Sequence, residues 1–386
     1  MIPHAHAMLR EIHQQPDVLE SLVAHYTSGN AFAPAAWQHL HPSLTASGPL
    51  VIAASGSSRH SGLFAELLLE ELAGAIVDVE YASEFALRAL DSSSVASVLV
   101  LSQSGETADT LAALRLARRQ GLRTLAITNH PESTMAREAT LALPLLAGPE
   151  QAIPATKSFL CQLIVLYLLA LHEAVAQQRM APHRLQDCLA ELHTLADHLR
   201  TQLPEWDAAA AQLAAQTADA QSFLYLGRGI HAAIAREGAL KLKESSYVHA
   251  EAYPTGELLH GPNALVSRSV PVVLLATCDP SNPESLLRYR RTREILDHLL
   301  RQQARVLAVA NRDDAEVHRL ATHSIPIDPL SEPLLAASEV VPLQLFAYHM
   351  AALRGIDMDH PRHLQKAVLN TDTVLNADAD NSGERA

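Results

Sequence analysis

The feature that most constrains this chain is a rhythm. Short, almost wholly apolar runs alternate with longer segments of helical periodicity, and the whole rhythm occurs twice. The run Leu50-Val51-Ile52-Ala53-Ala54-Ser55 is apolar up to its last residue. Further strands follow at regular intervals, at Ile76–Tyr81, Val95–Leu101, Arg123–Thr128 and Leu141–Leu145. A strand with one wet face alternates apolar and polar side chains, so continuous apolar runs imply strands covered on both faces, as in a parallel sheet. Between them, segments such as Gly62–Ala73 and Thr107–Arg119 read as helices, and Gly121 stands just past the second, where a helix C-cap belongs. Alternation of this kind predicts a doubly wound α/β fold of the flavodoxin-like type, with parallel five-stranded sheets. The pattern restarts at Ser222–Leu226. It continues through strands at Val248–Tyr253, Val270–Thr277, Arg305–Ala310 and Ser324–Ile327, with helices over 232–245 and 339–354. Two α/β units of one design are expected, an internal duplication.

The expected organisation has five parts. Residues 1–40 form an N-terminal helical segment, with helices over Leu9–Thr27 and Pro34–Leu40. The first α/β unit spans 41–180 and ends in a long helix from Thr156 to Val175. A helical connection spans 181–215, its helix running from His183 to Leu203 and ended by Pro204. The second unit spans 216–356, and 357–386 is a C-terminal tail. The last part of that tail, Thr371–Ala386, is polar and acidic and is expected to be partly disordered.

Composition narrows the function. With 386 residues, 48% of them hydrophobic, the chain has material for two sizeable cores. Its net charge of −13, from 29 basic and 42 acidic residues, repels nucleic-acid phosphates, and no basic stripe opposes that field. A phosphorylated ligand would have to be held by local dipoles and hydroxyls. The three cysteines, Cys161, Cys188 and Cys278, are widely spaced and form no CxxC pair, which argues against a disulfide framework or a zinc site and for a reducing cytoplasm. His4 and His6 are the nearest approach to a metal pattern, and neither metal nor other cofactor is expected. The opening MIPHAHAMLREIHQQ has no apolar core of a signal peptide. Phe159–Ala170, the strongest membrane candidate, is interrupted by Gln162 and is too short to span a bilayer, so no membrane association is expected.

Two turns suggest an anion site. The first apolar strand runs into Ser55-Gly56-Ser57-Ser58, and the third into Ser102-Gln103-Ser104-Gly105-Glu106-Thr107. Both lie at the carboxyl ends of strands and before helices, the edge where open α/β sheets bind ligands. Free N–H groups and the helix dipole attract phosphate there. Ser58, Ser102, Ser104 and Thr107 are therefore candidate phosphate ligands, with Gln103 reaching a sugar hydroxyl. The competing reading is that these are ordinary helix N-caps. Neither turn is a Walker loop or a GxGxxG, which disfavours a nucleotide.

The densest chemistry is Arg236-Glu237-Gly238-Ala239-Leu240-Lys241-Leu242-Lys243-Glu244. Steps of four and three put Glu237, Lys241 and Glu244 on one helical face, with the lysine between two carboxylates. A solvated salt-bridge ladder would have the same pattern. The start of this helix is expected at the ligand edge of the second sheet. Downstream, Gly256-Glu257-Leu258-Leu259-His260-Gly261-Pro262 sets a histidine among turn formers, a placement that suits function better than packing.

Together, EGALKLKE, HAEAY, GELLHGP and PRHLQKAV resemble the isomerase part of glutamine–fructose-6-phosphate aminotransferase, and SGSS, ASEF, SQSGET and ATK resemble its first half. The similarity runs from about Leu9 to Val368 and is to tandem sugar isomerase (SIS) domains. It implies that the turns at Ser57–Ser58 and Ser102–Thr107 hold a hexose or hexosamine 6-phosphate, with Ala155 and Thr156 at its edge. It implies that Glu244 is the base moving a proton between C1 and C2. It implies that His260 opens the sugar ring, donated by the neighbouring subunit of a homodimer, and that Lys366 forms an imine with the open-chain ketose. Glu237 and Lys241 would support the site. For Lys366 the residue type alone fits a surface lysine equally well.

The chain departs from the aminotransferase in two ways. It begins MIPH and has no cysteine before Cys161, so the glutaminase with its N-terminal cysteine nucleophile is not expected, nor is use of glutamine as an ammonia source. The loop Ala152-Ile153-Pro154-Ala155-Thr156-Lys157 differs from VASTK by a proline and an alanine. Stand-alone tandem proteins of this length resemble a glucosamine-6-phosphate deaminase, whose early EI-x-QP pattern stands here with one extra residue as Glu11-Ile12-His13-Gln14-Gln15-Pro16. The expected function is isomerising deamination of glucosamine 6-phosphate to fructose 6-phosphate and ammonia. The alternatives are an aldose–ketose isomerase, an aminotransferase-like isomerase, a deglycase, and a non-catalytic sugar-phosphate sensor. The segment before the first strand is too short and too poor in Lys and Arg for the DNA reader that such sensors carry.

Overall fold

The computed structural model describes residues 6–40, 43–45, 48–88 and 94–369. The acidic tail Thr371–Ala386 and His4 lie outside the described residues. Three helices lead in: α1 (Ala7–His13), α2 (Gln15–Tyr26) and α3 (Pro34–Trp37). The first unit runs β1 (Leu50–Ala54), α4 (Gly56–Ala73), β2 (Val77–Tyr81), α5 (Ala82–Phe85), β3 (Ser97–Leu101), α6 (Ala108–Arg119), β4 (Arg123–Thr128), α7 (Thr134–Glu138), β5 (Leu141–Pro144) and α8 (Lys157–Ala176). A long helix, α9 (Pro182–Gln216), leads to the second. That unit runs β6 (Ser222–Gly227), α10 (His231–Ser246), β7 (His249–Pro254), β8 (Val272–Ala276), α11 (Pro283–Arg301), β9 (Val306–Asn311), α12 (Ala315–Leu320), β10 (His323–Ile327) and α13 (Glu332–Leu353).

Both sheets are five-stranded and parallel, in the orders β2-β1-β3-β4-β5 and β10-β9-β8-β6-β7. Read from opposite ends, these are one flavodoxin-like order. In the first sheet the chain direction across the sheet reverses between β1 and β3. Ala54 pairs with Leu101 there, so the two serine turns emerge side by side. Both strands are buried along their whole length. One large cluster of buried side chains joins α4 and α8 of the first unit to α10 and α13 of the second and to the N-terminal helices. Smaller clusters fill the outer face of each sheet.

Several elements differ from the sequence expectation. The helix expected from Leu9 to Thr27 is broken at Gln14. Pro16 has no N–H for the Ile12 carbonyl, and Gln15 Nε2 donates to that carbonyl instead, at 3.1 Å. Helix α4 starts at Gly56 rather than Gly62, so Ser57 and Ser58 belong to its first turn. Helix α9 passes through Pro204 and continues to Gln216. The apolar stripe Leu199, Leu203, Trp206, Ala210 and Leu213 is buried on both sides of the proline, and that burial outweighs the roughly 3 kcal/mol an interior proline costs. Helix α13 begins at Glu332, one and a half turns or more before its expected start, and α11 was not expected at all.

Helix α8 extends beyond the apolar stretch Phe159–Ala170 at both ends. As helices, α8 with 20 residues and α13 with 22 are long and apolar enough to cross a bilayer. They are 89% and 94% buried inside the protein over that stretch, where they form the centre of the core.

Candidate active site

Why the two turns take their shapes follows from local geometry. After β1 the chain turns at Gly56, in the left-handed region at φ +54°, and enters α4 directly. After β3 it turns at Gly105, φ +67°, before Thr107 caps α6. A Cβ at position 105 would stand 2.1 Å from Ser133 Oγ and 2.8 Å from Thr128 Oγ1, so glycine alone fits. The N-termini of α4 and α6, with 18 and 12 residues, thus point at one place. Ser55 and Thr107 occupy the N-cap positions, but neither side chain makes a capping bond.

A cleft opens at this edge, walled by Ser55, Ser57, Ser58, Ser102, Gln103, Ser104, Thr107 and Thr110 from the first sheet's edge. Ile153 and Ala155 line it from the loop before α8, Lys241 and Glu244 from α10, and Leu364, Gln365 and Lys366 from the C-terminal segment. Its volume is about 160 Å³. Inside it, Ser102 Oγ lies 3.0 Å from Thr107 Oγ1 and accepts from Gly105 N at 3.1 Å, while Ser104 Oγ accepts from Glu106 N at 3.1 Å. Gln103 Oε1 and Thr110 Oγ1 are buried and, among the described residues, have no hydrogen-bond partner. A ligand with hydroxyls would satisfy them.

The charged face of α10 meets this cleft rather than the second sheet's own edge. Its start is at that edge as expected, but Glu237, Lys241 and Glu244 lie further along, on the side packed against α4. Glu237 and Lys241 are buried, and Glu244 is partly open. Lys241 Nζ is 3.4 Å from Glu237 Oε1 and 2.5 Å from Glu244 Oε2. Burial alone would push the Glu237 carboxyl up, but the Lys241 ammonium and bonds from His60 and Ser57 hold it below the usual carboxylate range. Burial would lower Lys241, and its two carboxylates raise it above an ordinary lysine instead. A solvated ladder is therefore excluded for this face.

Lys366 arrives on a strap that returns from α13 across the first unit. Asp359 accepts from the Ala7 and Met8 N–H groups at the start of α1, and its carbonyl accepts from Ile153 N at 3.1 Å. Arg362 stacks on Tyr247 at 4.3 Å, and the Val368 carbonyl accepts from Ala108 N at 2.9 Å. The strap sets Lys366 Nζ 2.7 Å from Glu150 Oε2 and 2.6 Å from the Ala152 carbonyl. Burial opposes ionisation of Glu150, yet the Lys366 ammonium, Ser158 and the Thr156 N–H hold its carboxyl low.

Of the residues singled out in the sequence, one cleft gathers Ser57, Ser58, Ser102, Gln103, Ser104, Thr107, Ala155, Lys241, Glu244 and Lys366, with Glu237 directly behind. Two stand elsewhere. Thr156 is fully buried and turns its N–H and hydroxyl to Glu150. His260 ends a 3-10 turn on the outer surface, exposed and away from the cleft of its own chain. Thr110, His60 and Glu150 escaped the sequence reading. Thr110 alone carried a signal, lying one helical turn after Thr107. The other two are joined to the site across 177 and 216 residues.

Comparison with known proteins identifies the fold and the family. The C-terminal domain of glucosamine-fructose-6-phosphate aminotransferase from Francisella tularensis superposes with a TM-score of 0.84 at 30% identity, over 93% of this chain and 99% of that one. Glucosamine-6-phosphate deaminase from Thermotoga maritima has the same fold, with a TM-score of 0.69 at 24% identity over 94% of this chain and 99% of that one. The glutamine–fructose-6-phosphate aminotransferase (isomerizing) of Chlorobaculum tepidum is 40% identical over 367 residues, 94% of this chain. The chain spans 58% of that relative's length. With the SIS domain model matching residues 43–172 and again 217–354, the chain belongs to the SIS-domain family.

Proposed function

We propose that this protein is a phosphosugar isomerase acting on the open-chain form of a hexosamine 6-phosphate, and that it deaminates glucosamine 6-phosphate. The observation that carries the reading is the single cleft. Two serine turns at helix N-termini face Glu244, Lys241 and Lys366 across it. In this reading the phosphate sits on the turns at Ser57–Ser58 and Ser102–Thr107, held by N–H groups, hydroxyls and two helix dipoles. The chain's charge of −13 makes such local donors necessary.

The chemistry then runs in four steps. Ring opening frees the C1 aldehyde. Glu244 takes the proton from C2 and returns it to C1, while the amine on C2 gives up one proton and O1 gains one, so that C1 becomes an alcohol and C2 an imine. Attack on C2 by the Lys366 amine, once it has given up its proton, releases ammonia and leaves a lysine imine. Water then hydrolyses that imine to fructose 6-phosphate and the free lysine. Ring opening needs a group that both gives and takes a proton, and in this reading the His260 imidazole is that group. Its exposed turn, flanked by Leu259 at 52% and Leu265 at 50% exposure, suits delivery to a second copy's cleft. The assembly in this reading is a two-fold dimer.

The test is ammonia release from glucosamine 6-phosphate with formation of fructose 6-phosphate. A second reading, synthesis of glucosamine 6-phosphate from fructose 6-phosphate, is favoured by the 40% identity to an aminotransferase. Assaying both directions with free ammonia separates them. Turnover of a different sugar phosphate alone would remove the substrate assignment and keep the reaction type.

A further inference from the structure

Four ionisable side chains form one line between the two units: His60 on α4, then Glu237, Lys241 and Glu244 on α10. His60 Nδ1 lies 2.8 Å from Glu237 Oε2. A carboxylate only accepts, so this ring nitrogen carries the hydrogen. The next links are 3.4 Å from Glu237 to Lys241 and 2.5 Å from Lys241 to Glu244. The Glu237 side chain is 0% exposed and that of Glu244 is 21%. Lys241 and Glu244 line the cleft, and His60 and Glu237 stand behind them.

The uneven distances have a physical reason. Coulomb attraction strengthens as the surroundings exclude water. Glu237 is the more buried carboxylate, so on its own it would win the ammonium from Glu244. Instead the ammonium sits closer to Glu244. The difference is a second donor, His60, on the other Glu237 oxygen. We propose that His60 is a positioning residue: by donating to Glu237 from the opposite unit, it leaves Lys241 against Glu244 and so fixes that carboxylate at the cleft wall. The proposal rests on the reading that Glu244 moves the proton. Ser57, in the first turn of the same helix, also bonds Glu237. The turn assigned to the phosphate and the carboxylate behind the base are thus held by one piece of α4.

The test uses the full chain. His60→Leu removes the donor and fills the space. His60→Asn keeps a donor near the Nδ1 position. In His60→Leu, kcat should fall on the order of 10- to 100-fold, as for a base displaced by about an ångström, with KM for the sugar phosphate changing far less. His60→Asn should recover most of the lost kcat. In a crystal structure of His60→Leu, Lys241 Nζ should lie nearer Glu237 than Glu244. A residue that only staples the two units would lower Tm and leave kcat alone. Unchanged kcat in His60→Leu, no recovery in His60→Asn, or Lys241 still against Glu244 in the variant structure would each overturn the proposal. If His60→Leu does not fold, His60→Phe, which also has no donor, takes its place with the same expectations. If the native enzyme exchanges no C1 or C2 proton with any hexose 6-phosphate, the proposed function has failed, and the Lys241 position in the variant structure alone decides the role of His60.

Discussion

Replacing Lys241 with methionine keeps an unbranched side chain of similar length and removes its charge. The Lys241 and Glu237 side chains are 1% and 0% exposed. Breaking a buried pair by removing one partner costs about 3–5 kcal/mol, because the other charge stays buried. Glu237 keeps His60, and Glu244 can turn to water, which puts Lys241→Met near the lower end, at about 3 kcal/mol. Unfolding entropy of about 2.1 cal/mol/K per residue, over 386 residues, converts this to a drop in Tm of about 4 °C for unfolding as one unit. The deficit should depend on pH. In the native protein the Glu237 carboxyl is held low, so its contribution is present above the ordinary carboxylate pKa and lost as pH falls through the folded value. Without Lys241, burial dominates and the folded value rises, so the variant binds a proton on folding. Its deficit should narrow as pH is lowered from about 7 to about 5. Adding Glu237→Gln should restore part of the lost Tm, since no buried charge is then left unpaired. Scanning calorimetry of the three proteins at both pH values is the assay. A Lys241→Met protein that melts with the native one, or a double variant less stable than the single, would refute the reasoning.

Glu244→Gln should reduce exchange of the sugar C1 and C2 protons with deuterated water by about 10²- to 10⁴-fold, read by NMR, while sugar-phosphate binding persists. Ser104→Ala should raise the dissociation constant for the sugar phosphate by about 10-fold or more, the worth of one hydrogen bond to a charged group, measured by calorimetric titration. Gly105→Ala should cost about 2–5 kcal/mol, from the left-handed backbone and the contact with Ser133, seen as a lower Tm together with a weakened phosphate site. Acid should destabilise the fold through Glu173 and Glu332. Burial raises both, but bonds from His172, Ser43 and Thr45 to the first, and from His231 and Arg288 to the second, lower them from 4.5 to about 2. Their stabilisation is present above about 4.5 and lost as pH falls towards about 2, so Tm should decline steeply over that window.

The central strands were legible because parallel strands covered on both faces are apolar, and β1 and β3 are each followed at once by a serine. The turns were legible for the same reason: polar residues straight after an apolar run lie at a sheet edge. Which cleft α10 serves was not legible. Spacing places Glu237, Lys241 and Glu244 on one face, but only the packing of α10 on α4 says what that face meets. His60 looked like one more scattered histidine, because its partner is 177 residues away. Pro204 misled for a related reason. A local rule ends a helix there, and burial of Leu203 and Trp206 on either side overrides it.

Helix α10 is covalently part of the second unit and chemically part of the first. A chimaera that took its first unit from one relative and its second from another would inherit half a cleft from each parent. The exchange would have to preserve the fit of α4 to α10 as well as the strap that returns Lys366 to Glu150. Drift at these contacts is therefore coupled across the duplication. The two units are free to diverge in their outer faces, and must change together along the seam where they meet.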